Sequence, residues 1–366
     1  MKGQWLGAYQ SNSSGRLLID VDELDDCFQG YAVLQPTNGA LPVAFTRFLT
    51  ADKKLPFRFT ANLFCLDPRN LEPVAWQDVQ QLFPGITLAP NADVTIDLKN
   101  SQLEVDWIFG AAGTPGTARL PASQAGQPST LTPIAIHSWK DFKTYVDALP
   151  TNRFAFRGQQ SNDWRLRTTF HRTGRSNLER FSLEDIPTVF KHITAQTKHL
   201  FNLSDAQQNG AFVSLIQHHG YPTPLLDWTH SPFVAAFFAF RGLQPSQEGK
   251  VRIFQFALFE WQRVPQLLKL SPLPPHVSIL NALAIENTRM LPQQGISTIT
   301  NVDDMETYIQ DIGSQRGQTY LKAIDLPVSE RAIASRDLAM MGITAGSLLP
   351  GLDGACEQLR ERFFSF

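Results

Sequence analysis

Between Gln217 and Pro232 the chain reads Gln-His-His-Gly-Tyr-Pro-Thr-Pro-Leu-Leu-Asp-Trp-Thr-His-Ser-Pro. Prolines and a glycine preset the backbone of such a stretch, because proline fixes φ and glycine supplies the conformations other residues avoid. Its neighbours constrain it further. Ala211 to Gln217 has helical character, and Phe233-Val-Ala-Ala-Phe-Phe-Ala-Phe240 is apolar on every side. A helix of that kind has no face for water and must be buried. Ser231 and Pro232 form a good N-cap and first-turn pair for it. Adjacent histidines, an aspartate, a tryptophan and a threonine are therefore held in a short connection between two predicted helices. The expectation is one wall of a site.

The chain ahead of this stretch has a different pattern. Arg16 to Asp22, Pro42 to Phe48, Pro56 to Phe64, Ala92 to Leu98 and Gln102 to Phe109 alternate or cluster apolar residues at strand length. Turn residues separate them, as at Asn12 to Gly15, Thr37 to Gly39 and Lys99 to Ser101. Gly3-Gln-Trp-Leu-Gly-Ala-Tyr9 reads as an aromatic edge strand. Residues 1–120 are expected to form an all-β barrel or sandwich domain. From Gly110 to Pro133 the composition shifts to Gly, Ala, Thr, Pro and Ser, which predicts an exposed connection, with residues 121–133 as the linker proper. Gly110 to Gly116 lacks the Gly-Lys-Ser/Thr ending of a phosphate loop and a following helix.

Residues 134–366 mix helical and strand patterns and are expected to form an α+β domain with a helical extension at its end. Ser138 can cap a helix that runs to Leu149, with Trp139, Phe142, Tyr145, Val146 and Leu149 on one face. Arg153 to Gly158 reads as a strand, Leu183 to Leu200 as a helix, Gly249 to Leu258 and Tyr320 to Asp325 as strands. Helices are expected around Asp304 to Ile312, from a Ser329 cap to Met341 with Gly342 ending it, and from Asp353 onward.

Composition removes several function classes. The net charge of −2 gives no global attraction to nucleic acid or an anionic membrane, although Arg157, Arg165, Arg167, Arg172 and Arg175 form a local basic patch. No run of about 18 apolar residues exists, so no membrane-spanning helix and no membrane partner are expected. The N-terminus has no signal-peptide pattern, and Cys27, Cys65 and Cys356 fit neither a disulfide framework nor a zinc motif. A reduced, cytoplasmic location is the expectation. His218 and His219 lack partners at metal-ligand spacing, so no metal is expected.

Three segments together resemble the FRG domain family: Phe156-Arg157-Gly158-Gln159, the stretch Gln217 to Thr229 running into Phe233 to Ala239, and Arg289-Met-Leu-Pro-Gln293-Gln294-Gly295. The resemblance places the core of the domain over Trp139 to Leu283. Pro224 stands where the family leads one to expect Arg. In the same order of segments the chain is more distantly similar to ADP-ribosyltransferases that use NAD, which implies an ADP-ribosyltransferase-like core. That similarity implies Arg157, His218, Asp227, Thr229 and Gln293 as catalytic residues. It implies Arg157, Gly158, Gln159, Tyr221 and Trp228 as the NAD-binding set, Arg157 on the pyrophosphate and the aromatic rings against nicotinamide. It further implies a macromolecular target, protein or nucleic acid, and a toxin or antiphage setting. The third segment of such enzymes carries a Glu, where this chain has Gln293 and Gln294, and Asp227 or Glu286 is then the carboxylate for that role. A second reading of the same residues is a nucleotide- or nucleic-acid-binding module without chemistry, and a third is an interaction protein. Arg157 is equally readable as a structural partner of a carboxylate or carbonyl, Asp227 and Thr229 as caps of the next helix, and Trp228 as a core plug. The β domain would bind a partner or ligand.

Overall fold

The computed structural model describes residues 1–366 except 111–112, 245–246, 270–272 and 365–366. Two antiparallel sheets organise it. The first collects β1 (Gly3–Gln10), β2 (Ser14–Glu23), β3 (Phe28–Pro36), β4 (Ala44–Leu49), β5 (Phe57–Asn62), β6 (Phe64–Leu66), β7 (Pro73–Val74), β8 (Asn91–Lys99), β9 (Gln102–Phe109) and β10 (Thr114–Pro121). Their order is β5-β8-β9-β10-β1-β2-β3-β4-β6-β7. The sheet curls, so that Phe57 and Phe59 of β5 pack on Phe48 of β4, with ring centroids 6.4 and 5.6 Å apart. Trp5, Leu17, Ile19, Val105, Trp107 and Leu120 fill the enclosed side.

Two expectations change here. Thr114–Pro121 falls in the stretch read as an exposed connection, yet it is a strand that pairs with both β9 and β1. Its small and β-branched residues suit that interior position: Trp107 lies where a side chain at Gly116 would stand. β1 is likewise central rather than an edge, since it pairs with β2 and β10. Of the glycine-rich segment set aside as a phosphate loop, residues 111–112 lie outside the described residues.

The second sheet has the order β14-β15-β12-β11-β13-β16, from β11 (Ala155–Gln159), β12 (Leu225–Thr229), β13 (Lys250–Phe256), β14 (Val277–Leu280), β15 (Gly295–Thr300) and β16 (Leu321–Pro327). The longer helices around it are α1 (Trp139–Asp147), α2 (Ile186–Ile193), α3 (Ala206–His218), α4 (Pro232–Phe240), α5 (Met305–Arg316), α6 (Arg331–Met340) and α7 (Leu352–Phe364). Helices α1, α4 and α6 cover one face through Trp139, Phe142, Val234, Phe240, Ala334 and Leu338. The other face meets Trp261, Met305 and Ile309. Ser138 and Ser231 cap α1 and α4 as the sequence indicates, each accepting from the N–H three residues on. The segment read as one helix over Leu183 to Leu200 ends at Ile193 and gives way to a short 3-10 turn. Helix α6 begins at Arg331 with no side-chain cap, and Ser329 is part of a preceding 3-10 turn.

A buried polar seam joins the curled sheet to the rest of the chain. Gln4 donates to the carbonyl of Asn301 and accepts from the N–H of Asp303 at 2.9 Å. Asp22, 2% exposed, accepts from Arg175 Nε and from the N–H groups of Ser176 and Asn177. Hydrogen bonding of this kind fixes the docking geometry, because a slip would leave buried charge unpaired.

Candidate functional site

The second sheet is two halves joined at one point. β11 pairs with β13 along Ala155 to Gln159, and β12 pairs with β15 along Leu225 to Thr229. Between β11 and β12 the only paired residues are Phe156 and Thr229. Beyond that pair the strands part, and a cleft of about 1080 Å³ opens there. Arg157, Gly158 and Gln159 line it from β11, and Asp227, Trp228 and Thr229 from β12. His218 at the end of α3, Gln293 before β15, and Leu349, Glu357 and Arg360 from the C-terminal segment complete the walls. The connection that the sequence presents as one wall is thus a strand, β12, over Leu225 to Thr229.

Arg157 bridges the parting. Its Nη1 donates to the main-chain carbonyl of Asp227 at 2.6 Å. Its Nε is enclosed and has no partner among the described residues. Burial pushes the guanidinium pKa down to about 10; the Asp227 charge opposes the shift and Arg172 adds to it. Arginine remains charged at neutral pH even so, which gives this wall of the cleft a fixed cation. Gln159 beside it, 7% exposed, likewise has an unpartnered Oε1.

Seven arginines line the cleft: Arg157, Arg165, Arg167, Arg172, Arg241, Arg289 and Arg360. Three are neutralised, Arg165 by Asp304, Arg167 by Asp303 and Arg241 by a two-bond pair with Glu357 at 2.6 Å. The other four have no carboxylate within ion-pair distance among the described residues. Asp163 and Asp227 are the lining carboxylates in the same condition. The cleft is therefore net cationic although the chain as a whole is not. Four of the five arginines of the sequence-level basic patch are here. Arg175 points away, to Asp22 and Asp185 in the seam.

The remaining expected residues divide clearly. The Asp227 carboxylate accepts from Ser297 Oγ at 3.1 Å. His218 feels that charge, but burial is the larger influence and lowers its pKa from 6.5, with Arg289 and His219 adding to the lowering. His218 is neutral at pH 7 and able to accept a proton. Thr229 Oγ1 donates to the carbonyl of Gln293 at 2.6 Å and accepts from Ser231 N–H. Its hydroxyl ties the second segment to the third and is not available for chemistry. Gln293 is held through Nε2 on the carbonyl of Leu348 at 2.9 Å.

Gly158 lines the cleft; a Cβ there would overlap the carbonyl oxygen of Ala235 and lie 2.7 Å from Ala239 N, so the glycine lets α4 rest directly on β11. Three expectations are corrected. The Trp228 indole is 3% exposed, stacks on Phe256 and donates to Thr298, which makes it a core plug. Tyr221 is not in the cleft; it packs in the cluster of Phe170, Phe181 and Phe212. Glu286 accepts from the N–H of His199 outside the cleft. Asp227 is thus the carboxylate at the parting of the strands. Among the described residues no group of three or more His, Cys, Asp or Glu is placed to hold a metal ion.

Sequence reasoning passed over Arg289, Arg241, Glu357, Arg360 and Trp164 as site residues. Arg289 carries a signal, since it stands four residues before Gln293 in the third segment. Glu357 and Arg360 come from a C-terminal helix whose position no local pattern encodes.

Neither a comparison with curated proteins nor one with solved structures finds a match. A family model does match, over a narrower span than Trp139 to Leu283. Residues 152–248, which supply β11, the arginine-bearing loop after it, β12 and α4, match the family model of the FRG domain.

Proposed function

We propose that the cleft binds NAD and transfers its ADP-ribose to a macromolecular acceptor. The observation that carries this reading is the convergence of Arg157, His218, Asp227 and Gln293 on one cleft that holds four arginines without carboxylate partners. Arginine forks suit a pyrophosphate, which offers several anionic oxygens for charge-assisted bonds. Arg157 lines this cleft with its guanidinium braced on the Asp227 carbonyl, and the cleft has room for such a group. NAD supplies a bond between ribose C1′ and the nicotinamide nitrogen; on cleavage both electrons stay with the nitrogen and nicotinamide leaves neutral. Asp227 stands where a fixed negative charge stabilises the positive charge developing on the ribose. His218, neutral and half-buried, takes the proton that the acceptor nucleophile loses as it bonds to C1′. Gln293, its amide nitrogen bonded to Leu348, offers its amide oxygen to a ribose hydroxyl and no charge. The toxin or antiphage setting belongs to the family resemblance, and the ADP-ribosyltransferase likeness rests on these residues alone.

The second reading, a nucleotide-binding module without chemistry, is favoured by one observation: the third segment carries Gln293 where a carboxylate would serve, and its amide is already bonded to Leu348. Nicotinamide release from NAD separates the two. Transfer predicts release by the wild type and a loss of about 100-fold in Asp227→Asn, the scale of removing one transition-state electrostatic partner. Binding of NAD without release by the wild type selects the module. No binding at all leaves the reading as an interaction protein.

A further inference from the structure

Trp164 is 54% exposed on the wall of the cleft. Among the described residues no aromatic ring stacks on its indole and no group bonds its Nε1. The residues that follow it are anchored. Leu166, with no exposure, is buried in the core. Arg165 donates to the Pro128 carbonyl and pairs with Asp304 at 2.8 Å, and Arg167 grips Asp303 with two bonds. Such anchoring fixes the backbone from which the indole projects, which lowers the ordering cost of a binding platform. Arg172 lines the same cleft, is exposed, has its side chain bonded to the carbonyl of Arg167, and has no carboxylate partner among the described residues. The cleft volume of about 1080 Å³ also lies at or above the upper end of the ~300–1,000 Å³ usual for a small-molecule site.

We propose that Trp164 and Arg172 form the landing site of a single-stranded nucleic acid, the indole stacking on an unpaired base and the arginine meeting the adjoining phosphate. An exposed aromatic ring next to unneutralised arginines is the arrangement by which single strands are held without sequence readout. A protein partner fits less well, because Trp164 stands between the charged Asp163 and Arg165 in the chain, in a cleft that is net cationic. This ledge and Arg157 line the same cleft. As the acceptor of ADP-ribose the strand rests on the transfer reading; as a ligand it does not.

The test uses the full chain and no NAD. Fluorescence anisotropy is followed with labelled ten-nucleotide oligo(dT) and oligo(rU), a duplex of the same length, and poly-glutamate as competitor. The wild type is expected to bind at least one single strand, to prefer it to the duplex, and to weaken as salt rises from 50 to 200 mM. Trp164→Ala is expected to weaken binding by about fivefold or more, the lower end of what one base–aromatic stack contributes. Trp164→Phe is expected to stay within about threefold, since a smaller ring still stacks. Arg172→Ala is expected to flatten the salt dependence. No binding by the wild type overturns the assignment. So does Trp164→Ala binding like the wild type, or poly-glutamate competing as well as the oligonucleotide. Nicotinamide release is scored separately: oligonucleotide binding without release overturns the transfer reading and leaves the ledge standing, and release without oligonucleotide binding does the reverse.

Discussion

Arg157 Nη1 donates to the main-chain oxygen of Asp227 at 2.6 Å, across the gap where β11 and β12 separate. The side chain answers a carbonyl that faces the gap with no strand opposite, and so helps the sheet remain open. One residue thereby connects architecture and site: the same guanidinium that braces the parted strands also lines the cleft. Arg157→Ala is expected to destabilise the fold by about 1–3 kcal/mol, the cost of a buried polar group losing its partner. The urea midpoint should fall at unchanged slope, because local bonding changes and the surface exposed on unfolding does not.

Gly158 gives a prediction of the opposite kind, from overcrowding. A methyl group at that position meets the backbone of α4 at Ala235 and Ala239, which cannot rotate away as a side chain would. Gly158→Ala is expected to cost at least the ~1–3 kcal/mol typical of overpacking. Gly39→Ala serves as the control, because nothing lies within 4 Å of its added methyl. Thermal melting should separate the two variants by several degrees.

His218 predicts a pH profile. Its pKa is lowered from 6.5, first by burial, so the neutral base persists below the range of an ordinary histidine. If it takes the acceptor's proton, the acidic limb of the rate profile should turn below pH 6.5. In His218→Gln that limb should vanish and the rate should drop by about 100-fold or more. A limb unchanged in the variant would remove His218 from the reaction.

Asp20 predicts a pH dependence of stability. It has no exposure, Gln4 Nε2 donates to its Oδ1, and Oδ2 has no partner. Burial, the largest influence, raises its carboxyl from 3.8 to about 8. A carboxyl raised in the folded state contributes stability that is full below pH 3.8 and is lost as pH rises toward 8, because the unfolded chain releases the proton first. Asp20→Asn removes that dependence. The melting temperature of the variant relative to the wild type should therefore climb between pH 4 and pH 8, and a constant difference would count against a protonated Asp20.

Much of the site was legible in the chain because its constraints are local. Ser138 and Ser231 announced their helices, the all-apolar Phe233 to Phe240 announced its burial, and Arg157, Asp227 and Gln293 came from segments whose order implied convergence. The departures come from tertiary context. Thr114–Pro121 has the composition of a connection, and two neighbouring strands make it a strand. Trp228 and Tyr221 are adjacent to site residues in sequence, but strand alternation sends the Trp228 ring to the opposite core, and Tyr221 joins the helical cluster. Glu357 and Arg360 reach the cleft from more than a hundred residues beyond the family match, through the pair with Arg241. No local pattern encodes a meeting of that range.

The most direct test of the cleft as a nucleotide site is isothermal titration of the purified chain with NAD, with Arg157→Lys in parallel. Lysine keeps the charge and loses the planar fork, so the comparison isolates bidentate recognition from simple attraction. The account predicts saturable one-site binding by the wild type and an affinity at least tenfold lower in Arg157→Lys. Absence of NAD binding by the wild type, or equal affinities in the two proteins, would contradict it.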